Sequence, residues 1–397
     1  MNPTPALTPA RPHARIAVIG AGPGGLICAR VLQRHGVDVT VYDLDASATA
    51  RNQGGTLDMH PDTGRHALHA AGLWDAFSTL ARPEGEQMRL VSRDGQVLFD
   101  AAPPQDGQGN PEIDRGQLRD LLLDSLAPGT VRWGHKLEHA EPLGDGRHRL
   151  HFAPGAPCAS VDADLVVGAD GAWSRVRRLM SDAVPLYTGV TFVETGLNDA
   201  DARHPELAAL TGSGTMMALD EGLGFVAQRN SGGHIRVYVG MRAAEDWHRQ
   251  AGVDLTDPVA VRDALLARFA GWSPVLHGYI TGTDTGYVNR PLFALPVPHT
   301  WEYTPGVTLL GDAAHLMSPF SGMGANLAMR DGADLAQALI DHTHTHTHAH
   351  IDDAVAAYEK VLLPRSVEAA EGAAEGIDGA FALDSAEQTL AHMTARH

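Results

Sequence analysis

The feature that most constrains this chain is a glycine cluster near its start, Gly20, Gly22 and Gly25, set between two apolar segments. Ala14 to Gly20 predicts a short buried strand, because a β-branched apolar run leads straight into a turn. From Gly24 to His35, Leu26, Ile27, Ala29, Val31 and Leu32 predict a mostly apolar helix, closed by Gly36 before a second strand over Val37 to Tyr42. Such a β-α-β unit of about 30 residues lets backbone amides at a helix N-terminus approach a pyrophosphate. Asp43 ends the second strand roughly 20 residues on, where a carboxylate can accept ribose hydroxyls. A dinucleotide is expected, and this turn alone leaves open whether it is FAD or a nicotinamide.

At 397 residues the chain exceeds what one core usually holds, so two packed domains are expected. Asp164 to Gly171 and Val307 to Asp312 are again short buried strands ending in Gly and Asp. Asp114 reads as an N-cap, with Gln117 three residues later, for a helix whose apolar face holds Leu118, Leu121, Leu122 and Leu126. Between about Tyr187 and Val297 the pattern changes: Ile235, Val237 and Val239 alternate with Arg236, Tyr238 and Gly240, as in a half-buried antiparallel strand. The expected fold is α/β: a Rossmann-like FAD-binding domain with an inserted, largely antiparallel substrate domain and a C-terminal helix. Residues 14–75, 110–185 and 298–341 form the first domain, 76–109 and 186–297 the second, and 351–397 the helical end. Residues 1–13 read as a disordered tail and 342–350, with five alternating histidines, as a solvated loop.

The net charge of -18 argues against nucleic acid or an anionic membrane as partner. Cys28 and Cys158, the two cysteines, stand in no metal or redox spacing. With no secretory signal and no membrane-spanning apolar run, a cytoplasmic monomer acting on a small molecule is expected, without a metal.

The later motifs select flavin over nicotinamide. Gly311 and Asp312 end a strand and are followed by Ala313, Ala314, His315, Pro319, Gly322, Gly324 and Asn326. An acid there can bind ribityl hydroxyls, and the glycine-rich helix start can stabilise negative charge on a reduced flavin. His315 is read as part of this turn rather than as a base.

Three blocks, the early glycine turn, DGAWSRVR (Asp170, Gly171, Ser174, Arg177) and GDAAHLMSPFSGMGAN, together resemble the single-component, p-hydroxybenzoate hydroxylase-like (class A) flavoprotein monooxygenases over most of the chain. Within them, ARNQGGTLDMH (50–60) and NPEIDRGQLR (110–119) look closest to the tetracycline-inactivating flavin monooxygenases. The resemblance implies that Asp170, Gly171 and Arg177 serve FAD and NADPH. It also implies that Asp58, Arg115 and Arg119 contact FAD, that Arg51 lies where nicotinamide is received, and that Asp312 holds the flavin with Gly322, Gly324 and Ala325. Positions where those enzymes hold the drug with glutamine, arginine and histidine carry Thr195, Thr215 and Tyr238 here, and a hydroxyl cannot replace a guanidinium in charge or reach.

The chemistry so implied is reduction of FAD by NADPH, addition of O2 to give a flavin hydroperoxide, and oxygen transfer to an aromatic or polycyclic, even tetracycline-like, molecule. That asks for an apolar pocket rather than an acid-base pair. Met216, Phe225, Pro319 and Phe320 are expected as walls, Thr195, Thr215 and Tyr238 as polar contacts, and no side chain is assigned as catalytic. A flavin-dependent dehydrogenase or reductase, and a flavin- or ligand-binding module without turnover, stay open as alternatives. A flavin halogenase is disfavoured, since no Trp-x-Trp segment occurs.

Overall fold

The computed structural model describes residues 14–51, 54–103, 109–342 and 348–396. The expected tail 1–13 and the centre of the histidine run, 343–347, lie outside the described residues.

Five parallel strands form the first sheet, in the order Val307–Leu309, Leu165–Gly168, Ile16–Ile19, Val39–Tyr42 and Val131–Arg132. The three strands at one side are buried along their whole length, as expected of a parallel sheet covered on both faces. Helix Pro23–Arg34 follows the central strand and packs against helix Gly324–His342. The two approach so closely that a Cβ on Gly332 would stand 2.2 Å from the Gly24 carbonyl oxygen. Because all five strands run the same way, the loops after Ile19, Tyr42, Gly168 and Leu309 emerge along one edge.

The second sheet has seven strands, in the order Val288–Ala294, Leu186–Leu197, Ile235–Arg242, Leu223–Arg229, Thr215–Asp220, Met88–Val91 and Val97–Ala101. Every pairing is antiparallel except that of Thr215–Asp220 with Met88–Val91. Register sets its two faces. Glu194, Tyr238, Val226 and Met217 form one cross-strand row, and Phe192, Gly240, Gly224 and Leu219 the next row on the same face. Thr195, Val237, Ala227 and Met216 form a row on the opposite face. That opposite face is closed by Leu265, Phe269, Tyr279 and Ile280, on or beside helices Pro258–Arg268 and Pro274–Thr281. The first face meets Phe320, Ile377 and Phe381.

Two local expectations change. The histidine run is helical at its described ends, because His342 closes one helix and His348 opens the next. That second helix runs 33 residues to Ala380, through Pro364, and Ser385–Arg396 follows. Asp114 occupies the N-cap position of helix Arg115–Asp124, yet its side chain makes no cap bond. The carboxylate instead accepts Arg82 Nη2 at 2.9 Å, Asn230 Nδ2 at 3.1 Å and the Ser231 amide at 3.0 Å, joining segment Glu112–Asp114 to Arg82 and to the turn after strand Leu223–Arg229. Among the described residues no helix is long and apolar enough to cross a membrane.

Candidate functional site

Three turns converge at the carboxyl edge of the parallel sheet. Gly20 has φ +112°, and a Cβ there would stand 2.1 Å from the Ala169 carbonyl oxygen, so the first turn leans directly on the end of strand Leu165–Gly168. Gly25 is equally confined, 2.3 Å from the Gly20 oxygen, whereas a Cβ on Gly22 would meet nothing within 4 Å. Asp43 is buried and ties the turn down, its Oδ2 accepting the Ala21 amide at 2.7 Å and its Oδ1 the Asp45 amide at 2.8 Å. Each of those oxygens keeps a second lone pair for a ribose hydroxyl.

The second turn is self-contained. Asp170 accepts Ser174 Oγ at 2.5 Å and the Arg175 amide at 2.7 Å, and desolvation still holds its pKa above the ordinary carboxylate value. Arg177 is buried, and burial lowers its pKa. Its guanidinium donates to the carbonyls of Ala313 at 2.8 Å, Ala172 at 2.8 Å and Asp312 at 3.1 Å. Arg177 therefore straps the second turn to the third rather than reaching outward toward a nicotinamide, and Gly171, at φ +76°, lets the chain fold over it.

The third turn is open. Asp312 is exposed and accepts no hydrogen bond from a side chain among the described residues, while a Cβ on Gly322 or Gly324 would meet nothing within 4 Å. Gly22 and Gly324 stand at the starts of helices of 12 and 19 residues. Two helix N-termini with empty space before them, plus an unengaged carboxylate, form a cradle suited to a pyrophosphate and a polyol. Ala325 packs sideways onto the domain core. Asn326, fully buried, accepts the amides of His60 and Gly64, each at 3.1 Å, and donates to the Asp58 carbonyl at 2.8 Å. It clamps the third turn to the Thr56–Asp58 strand, and its place in the glycine block was its only sequence signal.

Asp58 and Arg115 stand at the ends of a two-stranded ribbon, Thr56–Asp58 with Glu112–Asp114. Asp58 pairs with His60 at 2.7 Å, and that bond raises the His60 pKa. Arg115 is exposed beside Gly55. Arg119 is buried and donates to the Ala48 carbonyl at 2.7 Å and to Asp45 at 3.3 Å, so it braces the loop after Asp43. Arg51 is exposed and paired with the same Asp45.

The expected pocket residues divide by sheet face. Met216 and Phe225 are fully buried in the dry core on the far face, and Thr195 is there too, bonded to Thr283. These three do not line a pocket, because strand side chains alternate and the register puts them on the far, helix-covered face. Thr215 and Tyr238 are on the near face, Phe320 stacks edge-on against Phe381 at 5.4 Å, and Pro319 is exposed beside it. The near face adds residues that the sequence pattern did not single out: Phe192, Met217, Phe381 and the Glu194–Arg236 pair. Tyr238 Oη would lie 3.1 Å from a Cβ on Gly55, hence over the ribbon, and it has no hydrogen-bond partner among the described residues. Burial raises its pKa.

Known proteins resemble this chain in sequence and in fold. The sequence matches the family described as "FAD binding domain" over residues 13–267 and 297–363. It is 31% identical to the monooxygenase penA of Penicillium thymicola, over 89% of this chain and 92% of that one. The fold superposes on HpxO of Klebsiella pneumoniae, solved with FAD and uric acid, with TM-score 0.78 at 23% identity, covering 97% and 93% of the two chains. It also superposes on the tetracycline destructase Tet(51), with TM-score 0.70 at 19% identity, covering 97% and 96%.

Proposed function

From the premise that this chain belongs to the FAD-binding-domain family and is an FAD-dependent monooxygenase, we propose that it hydroxylates an electron-rich aromatic or polycyclic molecule held between the near face of the seven-stranded sheet and the ribbon Thr56–Asp58. The observation that carries this reading is the phenol of Tyr238, half-buried, without a protein partner, and facing Gly55 across the gap between the two domains.

The residues fit the cofactor. Gly22 and the helix behind it would receive the pyrophosphate, Asp43 the ribose and Asp312 the ribityl chain, and Gly322 and Gly324 would leave room for the flavin ring. Asp58, Arg115 and Arg119 would complete the cofactor wall, with Arg51 at the exposed entrance for nicotinamide. Bound FAD supplies the hard chemistry, taking two electrons from NADPH and activating O2. The protein's own part is positioning and exclusion of water. Phe192, Met217, Phe320 and Phe381 give an apolar wall, and the Tyr238 hydroxyl can orient one polar group of the substrate. Glu194, held between Arg236 and Arg290, neutralises part of the charge at the polar end of the face. No residue is needed as a general base.

Tetracycline is one arm of the test, since the near face offers Thr215 and Tyr238 where that reading asks for larger charged donors. Purified protein should be yellow, and a panel of phenols, aromatic heterocycles and tetracyclines should reveal a compound that stimulates NADPH and O2 consumption and gains one oxygen atom by mass. Product formation without oxygen would favour a dehydrogenase instead. A protein that retains no FAD on reconstitution would sink the reading altogether.

A further inference from the structure

Beneath the third turn lies a charged cluster that cofactor contact does not explain. Asp331 sits in the apolar stripe of helix Gly324–His342, between Leu327 and Leu335, and is fully buried. Its Oδ2 accepts the Gly311 amide at 3.0 Å and pairs with His315 Nε2 at 2.6 Å. Its Oδ1 accepts Arg365 Nη2 at 2.9 Å, from the helix His348–Ala380. Arg365 Nη1 also reaches Asp334 at 2.8 Å, and Asp334 in turn holds Arg330 at 2.7 Å. The same C-terminal helix donates Tyr358 Oη to the Leu309 carbonyl at 2.9 Å, so it grips the strand end just before the turn.

The charges do not cancel. Arg330 and Asp334 balance one another, which leaves one carboxylate, Asp331, between a guanidinium and an imidazole. Burial alone would discharge His315, yet the adjacent Asp331 carboxylate outweighs it and holds the imidazole pKa above its usual value, while Asp331 itself is held below the carboxylate range. His315 Nδ1 has no protein partner. The other titratable groups facing the cluster are Asp312, exposed to solvent, and His66, His299 and Tyr358; His66 Nε2 stands 3.9 Å from Asp334, and burial disfavours the charged form of all three. A buried ion group with one excess positive charge is costly to maintain unless something negative is stabilised nearby.

We propose that Arg365, Asp331 and His315 form an electrostatic support for the cofactor: Arg365 is a positioning residue acting through Asp331, and the triad's excess positive charge favours the reduced, more negative state of the flavin above it. This rests on the FAD reading given above. The support spans the chain, since the turn, the acid and the arginine come from three successive helices, and it gives the long C-terminal helix a role in the cofactor site without contact to it. Preorganised charge of this kind in a water-excluded site acts more strongly than in solvent.

The test uses the full chain reconstituted with FAD and compares wild type with Arg365→Lys, Arg365→Met and His315→Gln, reading the dissociation constant for oxidised FAD and the flavin midpoint potential. His315→Gln keeps a donor for Asp331 but removes the charge. The expected results are a potential more negative by a tenfold change in the two-electron reduction equilibrium, about 30 mV, for Arg365→Met and His315→Gln, and near-wild-type values for Arg365→Lys. Oxidised FAD should bind Arg365→Met at least several-fold more weakly. Should Arg365→Met fail to fold, His315→Gln decides alone. Unchanged potentials in variants that melt earlier would reduce the triad to a packing role and overturn the proposal, whereas wild-type protein that binds no FAD would instead overturn the cofactor reading.

Discussion

The carboxyl edge of the parallel sheet and the near face of the seven-stranded sheet build their halves of the site in different ways. At the edge, the proposed cofactor residues sit where strands stop: Gly20, Asp43, Asp170 and Asp312 all follow a strand end. On the face, the proposed substrate wall lies in mid-strand, where the decision is which of two alternating rows looks inward. A turn carries its instruction in the residue itself, since Gly20 at φ +112° and 2.1 Å from a carbonyl admits nothing else. A mid-strand residue carries no such mark. Phe225 and Phe192 are both aromatic and both buried, yet one closes a dry core and the other faces the cofactor domain.

Substitutions can break or sharpen this contrast. The largest effect on cofactor binding is expected at the edge: Gly20→Ala forces a side chain into the Ala169 carbonyl, and FAD affinity should fall by roughly a hundredfold or more, equivalent to about 3 kcal/mol, read by flavin fluorescence. If Gly20→Ala holds FAD normally, the turn does not form the cradle. On the far face, Phe225→Ala should lower unfolding stability by about 3–5 kcal/mol, with KM for an identified substrate unchanged in the folded fraction. A selective rise in KM there would return Phe225 to the pocket.

A third measurement probes the seam between the regions. Glu112, buried beside Thr56 and Arg82, has its pKa pushed up to about 7, burial outweighing the Thr56 hydrogen bond and the Arg82 charge. Between its unfolded value of 4.5 and about 7 the folded chain keeps a proton that the unfolded chain has lost, so this group's contribution to stability falls as pH rises across that window. Chemical denaturation at pH 4.5, 6 and 8 should show a loss of about 1–3 kcal/mol, and Glu112→Gln should flatten it. His60, whose pKa Asp58 raises, loses stabilisation in the same direction above its ordinary range, and Glu112→Gln leaves that share in place. The smallest effect in stability belongs to Tyr238→Phe, which should melt within about 0.5 kcal/mol of wild type while changing KM or the coupling of NADPH oxidation to product. An unchanged KM and coupling would remove Tyr238 from the substrate.

Other misreadings share one cause. Asp114 looks like a helix cap in one dimension, but Arg82 and Ser231 lie close to it only after two domains meet. Arg177, which the resemblance assigns to FAD and NADPH, donates to the Ala313 and Asp312 carbonyls, which the third turn brings to it from more than 130 residues away. Asp331 was legible in principle, as a charge in an apolar helical stripe, a pattern that signals a buried partner without naming it.

What the amino-acid sequence determined by itself was everything written in local backbone: the glycine turns, the strands feeding them, their acids, and through these the cofactor class. Which residues lie on which face of the seven-stranded sheet, and what Arg365 in the last long helix holds, was decided only by the tertiary structure. The reason is that strand register, domain approach and buried charge pairing are properties of segments brought together across the chain, and no residue carries its distant partner's identity in its own neighbourhood.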